Sequence, residues 1–311
     1  MLAVRLHAGD HELHFDDIEM PVAQTADQLV VKVNACGVCF SDIHVVDGEF
    51  GDAPLDVGAA HVALRGHGAA IVAASDRALT FGGRASTRIP AGSVAVSDPV
   101  ALAVPALADL AISVFLPGDT GAGTSPLTMH AGANQTNYVS LEGNHVADPD
   151  LPDAATITSW YFLSRVEVAA PQDVGAVVAF GDSITDGART TPDLNSRWPD
   201  VLAQRLTAAG IKAGVLNLGI AGNRVFLPDG VGPSATSRFN RDVAAQSGAK
   251  WVVFLEGIND LRNNPDVPAE EIIAAHKQII ERAHALGLKI YGATLTPFEG
   301  SGPTWTPVTE A

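Results

Sequence analysis

The pattern of apolar and polar residues divides the chain into three zones with different textures. Residues 1 to about 50 contain one alternating run, residues 28–35, that predicts a strand. Residues 51 to about 170 contain short apolar runs separated by turn residues, as at residues 110–116 and 138–141, without a long run of helical period. This spacing predicts a β-rich domain of the sandwich or jelly-roll type. Within it, residues 118–132 are rich in Gly, Thr, Ser and Pro and are predicted to form a loop.

From about residue 171 the pattern changes to apolar runs that alternate with amphipathic stretches. Four runs predict buried strands, at residues 176–180, 213–218, 251–255 and 289–295. Three stretches predict helices, at residues 198–209, 235–246 and 269–286, and glycines at 210 and 287 follow two of these as helix C-caps. Strands that alternate with helices imply a parallel sheet covered on both faces. The fold class predicted for this zone is α/β.

The composition excludes several classes of protein. The 311 residues are enough for two domains of about 100 to 200 residues each. A formal net charge of −16 argues against a nucleic-acid partner, because a phosphate backbone is bound by clustered cations. No run of about 20 apolar residues predicts a membrane span, and the first residues lack the pattern of a signal peptide. We therefore expect a soluble, cytoplasmic protein with no membrane partner.

Polar, small-residue signatures follow three of the four predicted strands. They are Gly-Asp-Ser-Ile-Thr-Asp-Gly at residues 181–187, Asn-Leu-Gly-Ile-Ala-Gly-Asn at residues 217–223 and Glu-Gly-Ile-Asn-Asp at residues 256–260. The carboxyl ends of parallel strands meet at one edge of a sheet, where the active sites of open α/β sheets collect. Acyl transfer requires a hydroxyl on a sharp strand-to-helix turn and hydrogen-bond donors around the developing oxyanion. The three signatures can supply both.

In their order, spacing and strand context, the three signatures resemble those of the SGNH, or GDSL-type, hydrolases. The resemblance implies a flavodoxin-like parallel sheet and a serine ester hydrolase that acts on a small-molecule or carbohydrate ester. It implies that Ser183 is the nucleophile, and that the Ser183 amide, the Gly222 amide and the Asn259 side chain form the oxyanion hole. Residues 51–170, including Gln-Thr-Asn-Tyr at 135–138, resemble the β-rich N-terminal domain of two-domain members of this family.

Each of these residues also has a purely structural interpretation. Ser183 could be a helix N-cap, Gly222 a turn glycine and Asn259 part of a helix cap. Asp186 and Asp260 are interpreted as turn or capping groups rather than catalysts. The functional interpretation is favoured because three loops at one sheet edge agree.

The histidine base of the family is missing from the sequence. Family members carry it in an Asp-x-x-His block after a fifth strand, and no Asp-x-x-His occurs in this chain. His276 and His284 lie on one predicted helix and are interpreted as partly exposed helix residues. We therefore hypothesise an SGNH domain truncated at its C-terminus, with impaired activity. The alternative is a catalytically inert fragment or binding protein, and an unpaired edge at the fourth strand predicts self-association.

Residues 31–44, which contain both cysteines of the chain, resemble the N-terminal segment of zinc-dependent alcohol dehydrogenases. By that resemblance Cys39 matches a catalytic zinc ligand. The rest of the dehydrogenase constellation is absent and no Gly-x-Gly-x-x-Gly follows a strand, so we expect Cys36 and Cys39 to be unligated, with no metal and no cofactor. The less favoured alternative is a redox or zinc pair at these cysteines, and with it a zinc-dependent alcohol dehydrogenase. The domain prediction is a dehydrogenase-like segment at residues 1–50, a β-rich domain at 51–170 and a hydrolase domain at 171–311.

Overall fold

A computed structural model describes residues 2–6, 13–17, 54–120, 128–227, 231–264 and 266–298 of the chain. The chain divides into two compact units. One comprises Met1–His61, Ala78–Val100 and Ile112–Leu127, and the other comprises Val62–Arg77, Ala101–Ala111 and Thr128–Ala311. The domain boundaries at residues 50 and 170 stay a prediction.

The first half of the chain contains short strands. They are β1 (Leu2–Leu6), β2 (Leu13–Asp17), β3 (Leu55–Val57), β4 (Ala59–Leu64), β5 (Arg77–Ala78), β6 (Thr87–Ile89), β7 (Leu110–Phe115), β8 (Met129–His130), β9 (Asn137–Val139), β10 (Ala155–Ile157) and β11 (Trp160–Tyr161), with a 3-10 turn at Ala73–Ser75. The pairs β1–β2, β3–β6, β9–β10 and β8–β11 are antiparallel. The described strands form small sheets of two or three strands, so the predicted β-rich character of this region is confirmed.

The prediction of a loop at residues 118–132 is wrong at residues 129 and 130. Met129 and His130 form β8, because they pair with Tyr161 and Trp160 of β11. The partner strand lies about thirty residues along the chain, and local composition cannot reveal a pairing of that range.

The second half of the chain alternates strands and helices. The elements are β12 (Gly175–Gly181), α1 (Ser183–Asp186), α2 (Trp198–Ala208), β13 (Ala213–Gly219), α3 (Ala235–Phe239), a π-helical turn (Asn240–Ala244), β14 (Ala249–Leu255), α4 (Ile258–Asn263), α5 (Ala269–Ala285) and β15 (Lys289–Gly292). The four strands β12 to β15 form one parallel sheet in the order β13-β12-β14-β15. This confirms the predicted α/β class, and the order is that of flavodoxin-like sheets.

Local sequence explains these elements. Every residue of the central strand β12 is buried, as its continuous apolar run requires. Helix α5 follows Pro268, and its buried positions Ile272, Ala275, Ile279 and Ala283 recur at helical spacing on one face. Gly210 and Gly287 adopt positive φ beyond the ends of α2 and α5, as expected of glycines after a helix.

The core of this half lies on the sheet face covered by α3 and α5. Phe180 of β12 stacks on Phe254 of β14 with ring centroids 5.5 Å apart, and Phe239 of α3 meets Phe180 edge-on at 6.3 Å. Phe180 and Phe239 are completely buried. Aromatic pairs in these arrangements contribute beyond their buried area, so the core fixes the positions of the strands whose ends carry the signatures.

A buried arginine joins the carboxyl ends of these strands. The side chain of Arg238, on α3, has no exposed surface. Its guanidinium donates hydrogen bonds to Gly181 O at 2.9 Å and to Leu218 O at 2.7 Å, near the ends of β12 and β13. The guanidinium carbon also lies 4.2 Å from the centroid of Phe180, a cation–π contact.

The same guanidinium contacts two carboxyl groups and one amide. Nη1 donates to Asp242 Oδ2 at 2.9 Å, Nη2 lies 3.4 Å from Glu256 Oε1, and Nε donates to Asn223 Oδ1 at 2.9 Å. All five guanidinium hydrogens can therefore be used within the protein, which is the condition for burying a cation.

We expect Arg238→Met to lower the free energy of unfolding by about 3–5 kcal/mol, because the acids and carbonyls around it would lose a buried partner. Arg241→Met is the matched control, since Arg241 binds the same carboxylate, Asp242, but its side chain is 61% exposed. Its loss should cost at most about 1 kcal/mol. Urea denaturation measures both, and equal effects of the two substitutions would contradict the assignment.

Candidate active site

Ser183 lies on a sharp turn between β12 and α1. Strand β12 ends at Gly181, and Ser183 is the first residue of the four-residue helix α1. A Cβ at position 181 would overlap Thr185 Oγ1 and Leu255 O, so only glycine lets the helix begin this close to the strand. Ser183 is half-buried. Backbone N–H groups of the first helical turn have no partner within the helix, which leaves the Ser183 amide suited to an oxyanion.

Asp182, not Ser183, is the N-cap of α1. Its Oδ1 accepts a hydrogen bond from the Ile184 amide at 2.9 Å. The structural interpretation of Ser183 as an N-cap is therefore wrong, and its hydroxyl is not needed to cap the helix.

A cavity of about 240 Å³ lies where the strand order of the sheet reverses, beyond the carboxyl ends of β12 and β14. Ligands of open α/β sheets bind at this topological position. Among the described residues, two of the three predicted site residues line the cavity together with apolar side chains and the cation Arg262. The lining residues are Ser183, Ile184, Ile258, Asn259, Arg262, Thr296, Pro297 and Phe298.

Asn259 is held in the cavity wall by a hydrogen bond to the second signature. It is 7% exposed, and its Nδ2 donates to Asn223 O at 2.8 Å. A side-chain amide carries two N–H donors, so one remains for a ligand. The residue that caps α4 is Gly257, at φ +118°, and Asn259 lies inside the helix. The interpretation of Asn259 as a helix cap is therefore wrong.

Gly222 lies in the turn after β13 and is not among the cavity-lining residues. Its φ is +80°, and a Cβ there would approach Val231 Cγ2 to 2.9 Å. The turn-glycine interpretation thus has a structural basis, whereas the predicted role of the Gly222 amide stays a prediction. Hydrogen bonds on both sides of Gly222 join this turn to the other loops. The Ala221 amide donates to Asp186, and the Asn223 carbonyl accepts from Asn259.

Three buried acids surround the strand ends. Burial, together with the nearby Asp260 carboxylate, raises the pKa of Asp182 to about 6 against the opposing effect of the hydrogen bond from Ile184. Burial and the Asp182 carboxylate raise the pKa of Glu256 to about 9, although Arg238 opposes the rise. The attraction of Arg238 is weaker than the combined effect of burial and the neighbouring acids, so Glu256 holds a proton at neutral pH.

Asp260 and Asp186 accept hydrogen bonds from backbone amides of another loop. Asp260 is completely buried and accepts hydrogen bonds from the Val225 and Phe226 amides at 2.8 and 3.4 Å. Asp186 accepts one from the Ala221 amide at 3.0 Å. Like capping groups, both carboxylates accept hydrogen bonds from backbone amides. Those amides belong to the loop after β13, however, and not to the turns in which Asp186 and Asp260 themselves lie.

The two helix histidines lie on α5, as predicted. His276 is half-buried, with Nδ1 2.9 Å from Ile272 O and its ring 5.0 Å from the ring of Phe254. His284 is exposed. Neither lines the cavity.

The described residues contain neither a candidate metal site nor a helix able to cross a membrane. Within the described ranges, no group of three or more His, Cys, Asp and Glu residues is arranged to hold a metal ion. Cys36, Cys39 and the strand predicted at residues 28–35 lie outside those ranges. None of the described helices is long and apolar enough to cross a membrane.

Comparison with known proteins identifies the second half of the chain. Residues 179–311 match the model of the GDSL-like Lipase/Acylhydrolase family. This part of the chain is a GDSL/SGNH hydrolase domain, and the expected α/β SGNH-hydrolase fold is confirmed. The dehydrogenase resemblance of residues 1–50 has no support from any comparison. No curated protein matches the sequence significantly.

Several solved structures are similar to the chain. AlinE4, a SGNH-hydrolase family esterase, has 21% identity and a TM-score of 0.35 over 41% of this chain and 62% of its own. TesA has 22% identity and a TM-score of 0.34 over 41% and 64%. A variant of Axe2, an acetyl xylan esterase from Geobacillus stearothermophilus, has 26% identity and a TM-score of 0.31 over 38% and 58%. The chain spans about three-fifths of the length of these structures.

The sequence did not predict a role for Arg238, nor that Pro297 and Phe298 form part of the cavity wall. Arg238 belongs to a helix without a motif, and Pro297 and Phe298 follow the fourth strand without a recognisable signature. Glu256 was visible as the first residue of the third signature, and its position directly after a buried strand was the available signal for a buried acid.

The raised pKa values predict that stability falls as the pH rises. Between the ordinary pKa of Glu256, 4.5, and its folded value of about 9, the native state holds a proton that the unfolded state lacks. The free energy of unfolding should therefore fall with increasing pH, by up to about 1.4 kcal/mol per pH unit for this group. Asp182 contributes in the same direction between about pH 4 and its folded pKa of about 6.

Glu256→Gln should lose less stability than the unchanged protein between pH 6.5 and 9, measured by urea denaturation at each pH. The exposed Glu281 of α5 provides a matched control, and Glu281→Gln should follow the unchanged protein. Parallel pH dependence of all three proteins would exclude a protonated Glu256.

Proposed function

We propose that the chain is a serine ester hydrolase in which Ser183 attacks the carbonyl carbon of a small-molecule or carbohydrate ester. The observation that carries the proposal is the cavity at the switch point of the sheet, which has both Ser183 and Asn259 in its wall. The family match of residues 179–311 supports the same chemistry.

The proposed step forms an acyl-enzyme. The Ser183 oxygen bonds to the carbonyl carbon, its proton passes to a base, and the alcohol leaves with a proton as the tetrahedral intermediate collapses. Negative charge on the carbonyl oxygen is stabilised by the amide of Ser183, the free N–H of Asn259 and, by the family resemblance, the amide of Gly222. Water then attacks the carbonyl carbon of the acyl-enzyme and gives its proton to the base. The acid is released as the Ser183 oxygen leaves and regains a proton.

The size of the cavity favours a small substrate. A cavity of about 150 Å³ can hold a benzene molecule, whereas drug-sized ligands occupy roughly 300–1,000 Å³. At about 240 Å³, this cavity fits an ester with a short acyl group. Ile184, Ile258 and Phe298 provide apolar surface for that group.

The base of the reaction has no assigned residue, because the sequence contains no Asp-x-x-His. Removal of one member of a serine triad leaves only a small residual rate, with losses on the order of 10⁴ to 10⁶. We therefore expect both ester turnover and covalent labelling of Ser183 to be slow in the 311-residue chain, but each labelling event is permanent, so labelling accumulates where turnover is too slow to detect.

A fluorophosphonate probe should label the protein at Ser183, and Ser183→Ala should abolish the labelling. Ser237→Ala, at an exposed serine of α3 outside the cavity, should be labelled as well as the unchanged protein. Mass spectrometry of the labelled peptide identifies the site. Labelling that survives in Ser183→Ala would refute the nucleophile, and no labelling of the folded protein would favour the inert binding protein.

Asn259→Ala should slow the labelling of Ser183 by about 10² to 10³-fold, because one oxyanion donor is lost. Asn264→Ala is the control, since Asn264 follows the same helix and does not line the cavity. Labelling rates at equal probe concentration measure the effect. An unchanged rate in Asn259→Ala would remove this side chain from the oxyanion hole.

A further inference from the structure

The carboxylate of Asp186 connects the Ser183 helix to the turn that contains Gly222. Asp186 is the last residue of α1 and is 6% exposed. Its Oδ2 accepts a hydrogen bond from the Ala221 amide at 3.0 Å. A Cβ at Gly219 would overlap the Asp186 backbone, so the end of β13 lies directly against α1. The orientation of this carboxylate therefore fixes where the Ala221–Gly222 turn lies relative to Ser183.

The second oxygen of Asp186 is held by a histidine from the β-rich part of the chain. His130 Nε2 lies 2.8 Å from Asp186 Oδ1. An ionised carboxylate only accepts, so Nε2 carries the hydrogen and donates it. His130 belongs to β8, and its ring lies 6.0 Å from the ring of Trp160, its partner residue on β11. The imidazole is thus oriented by a strand pair.

The His130 contact is part of a longer set of polar contacts between residues 133–136 and the loop after α1. Asn134 Nδ2 donates to Gly187 O at 2.9 Å. Thr136 donates from its amide and its hydroxyl to the two oxygens of Asp193, at 2.7 and 2.6 Å. The Ala133 carbonyl accepts from the guanidinium of Arg197. These bonds hold residues 130–136 against α1 and the loop that follows it. They also place Thr136, from the Gln-Thr-Asn-Tyr sequence at 135–138, in contact with that loop.

We propose that His130 is a positioning residue of the Ser183 site, which acts through Asp186 on the Ala221–Gly222 turn and thereby sets the Gly222 amide for the oxyanion. The proposal rests on the proposed function. A hydrogen bond to a carboxylate is stronger than a neutral one, so its loss frees Asp186 to reorient. Misplacement of a positioned group by about 1 Å can cost about 10²-fold in rate.

The chain supplies a matched control. His145 Nδ1 lies 2.8 Å from Asp148 Oδ2, the same separation as in the His130–Asp186 pair, and the two histidines are similarly exposed, but the side chain of Asp148 is 50% exposed and that of Asp186 only 8%. His145→Ala therefore removes an equivalent contact that does not touch the site.

The experiment compares His130→Ala, His130→Gln and His145→Ala with the unchanged protein. One readout is amide hydrogen exchange of a peptide that covers residues 213–225, with the amides of β12 as an internal reference for global unfolding. The other is the rate at which the fluorophosphonate labels Ser183. Hydrogen exchange needs no reaction at Ser183, so it tests the proposal even if the proposed function fails.

We expect His130→Ala to raise exchange at the Ala221 region at least tenfold over the β12 reference and to slow labelling at least tenfold. His130→Gln should restore most of both, because its side-chain amide can donate to Asp186 from a similar position. His145→Ala should change neither. If wild-type protein is not labelled, the proposed function fails, and exchange alone decides whether His130 holds the turn.

Three results would overturn the proposal. The first is unchanged exchange in His130→Ala, which would mean that His130 does not hold the turn. The second is raised exchange with unchanged labelling, which would mean that the turn does not affect the reaction. The third is a His130→Gln variant with normal exchange but slow labelling, which would make the imidazole itself a reacting group.

Discussion

The buried guanidinium of Arg238 is the interaction on which the rest of the site depends. Parallel strands end in carbonyl groups that need donors, and the loops beyond them here carry several buried acids. Arg238 meets both needs, since it donates to Gly181 O and Leu218 O and lies against Glu256 and Asp242. The ends of three neighbouring strands thus have a common partner, and the loop of each signature begins from a fixed position.

Asn223 extends this arrangement to the cavity. Its Oδ1 accepts from Arg238, its Nδ2 donates to Val231 O and Pro233 O, and its carbonyl accepts from Asn259. The Asn259 side chain is therefore oriented, through one residue, by the same guanidinium. The raised pKa of Glu256 keeps that carboxyl neutral beside the candidate site, which lowers the number of negative charges among the buried acids. The ordered edge is therefore a consequence of the buried guanidinium, whereas the pH-dependent stability is a consequence of the burial of Glu256 beside other acids.

The β-rich part of the chain is also involved in the construction of the site. Residues 130–136 belong to the same compact unit as the sheet and bind the helix of Ser183 and the loop that follows it. Asp186 then links that helix to the turn of Gly222. A polar support of this kind can be replaced only by residues that keep its donors and acceptors in place, because a buried carboxylate without its partner is costly.

The sequence by itself determined the α/β class, the four strands, the bounds of α2 and α5 to within one residue and the order of the three signatures. Apolar runs, helical spacing and glycines after helices are local features, and they fix local structure. The tertiary structure alone decided that Ser183 and Asn259 share a cavity wall, that Asp182 rather than Ser183 caps α1, and that His130 lies in a strand bonded to Asp186. It also placed Arg238 at the strand ends. The helix predicted at 235–246 is α-helical only to Phe239 and continues as a π-helical turn. The physical reason is that hydrogen bonds of buried polar groups join residues far apart in sequence, and no local pattern specifies which distant donor meets which acceptor.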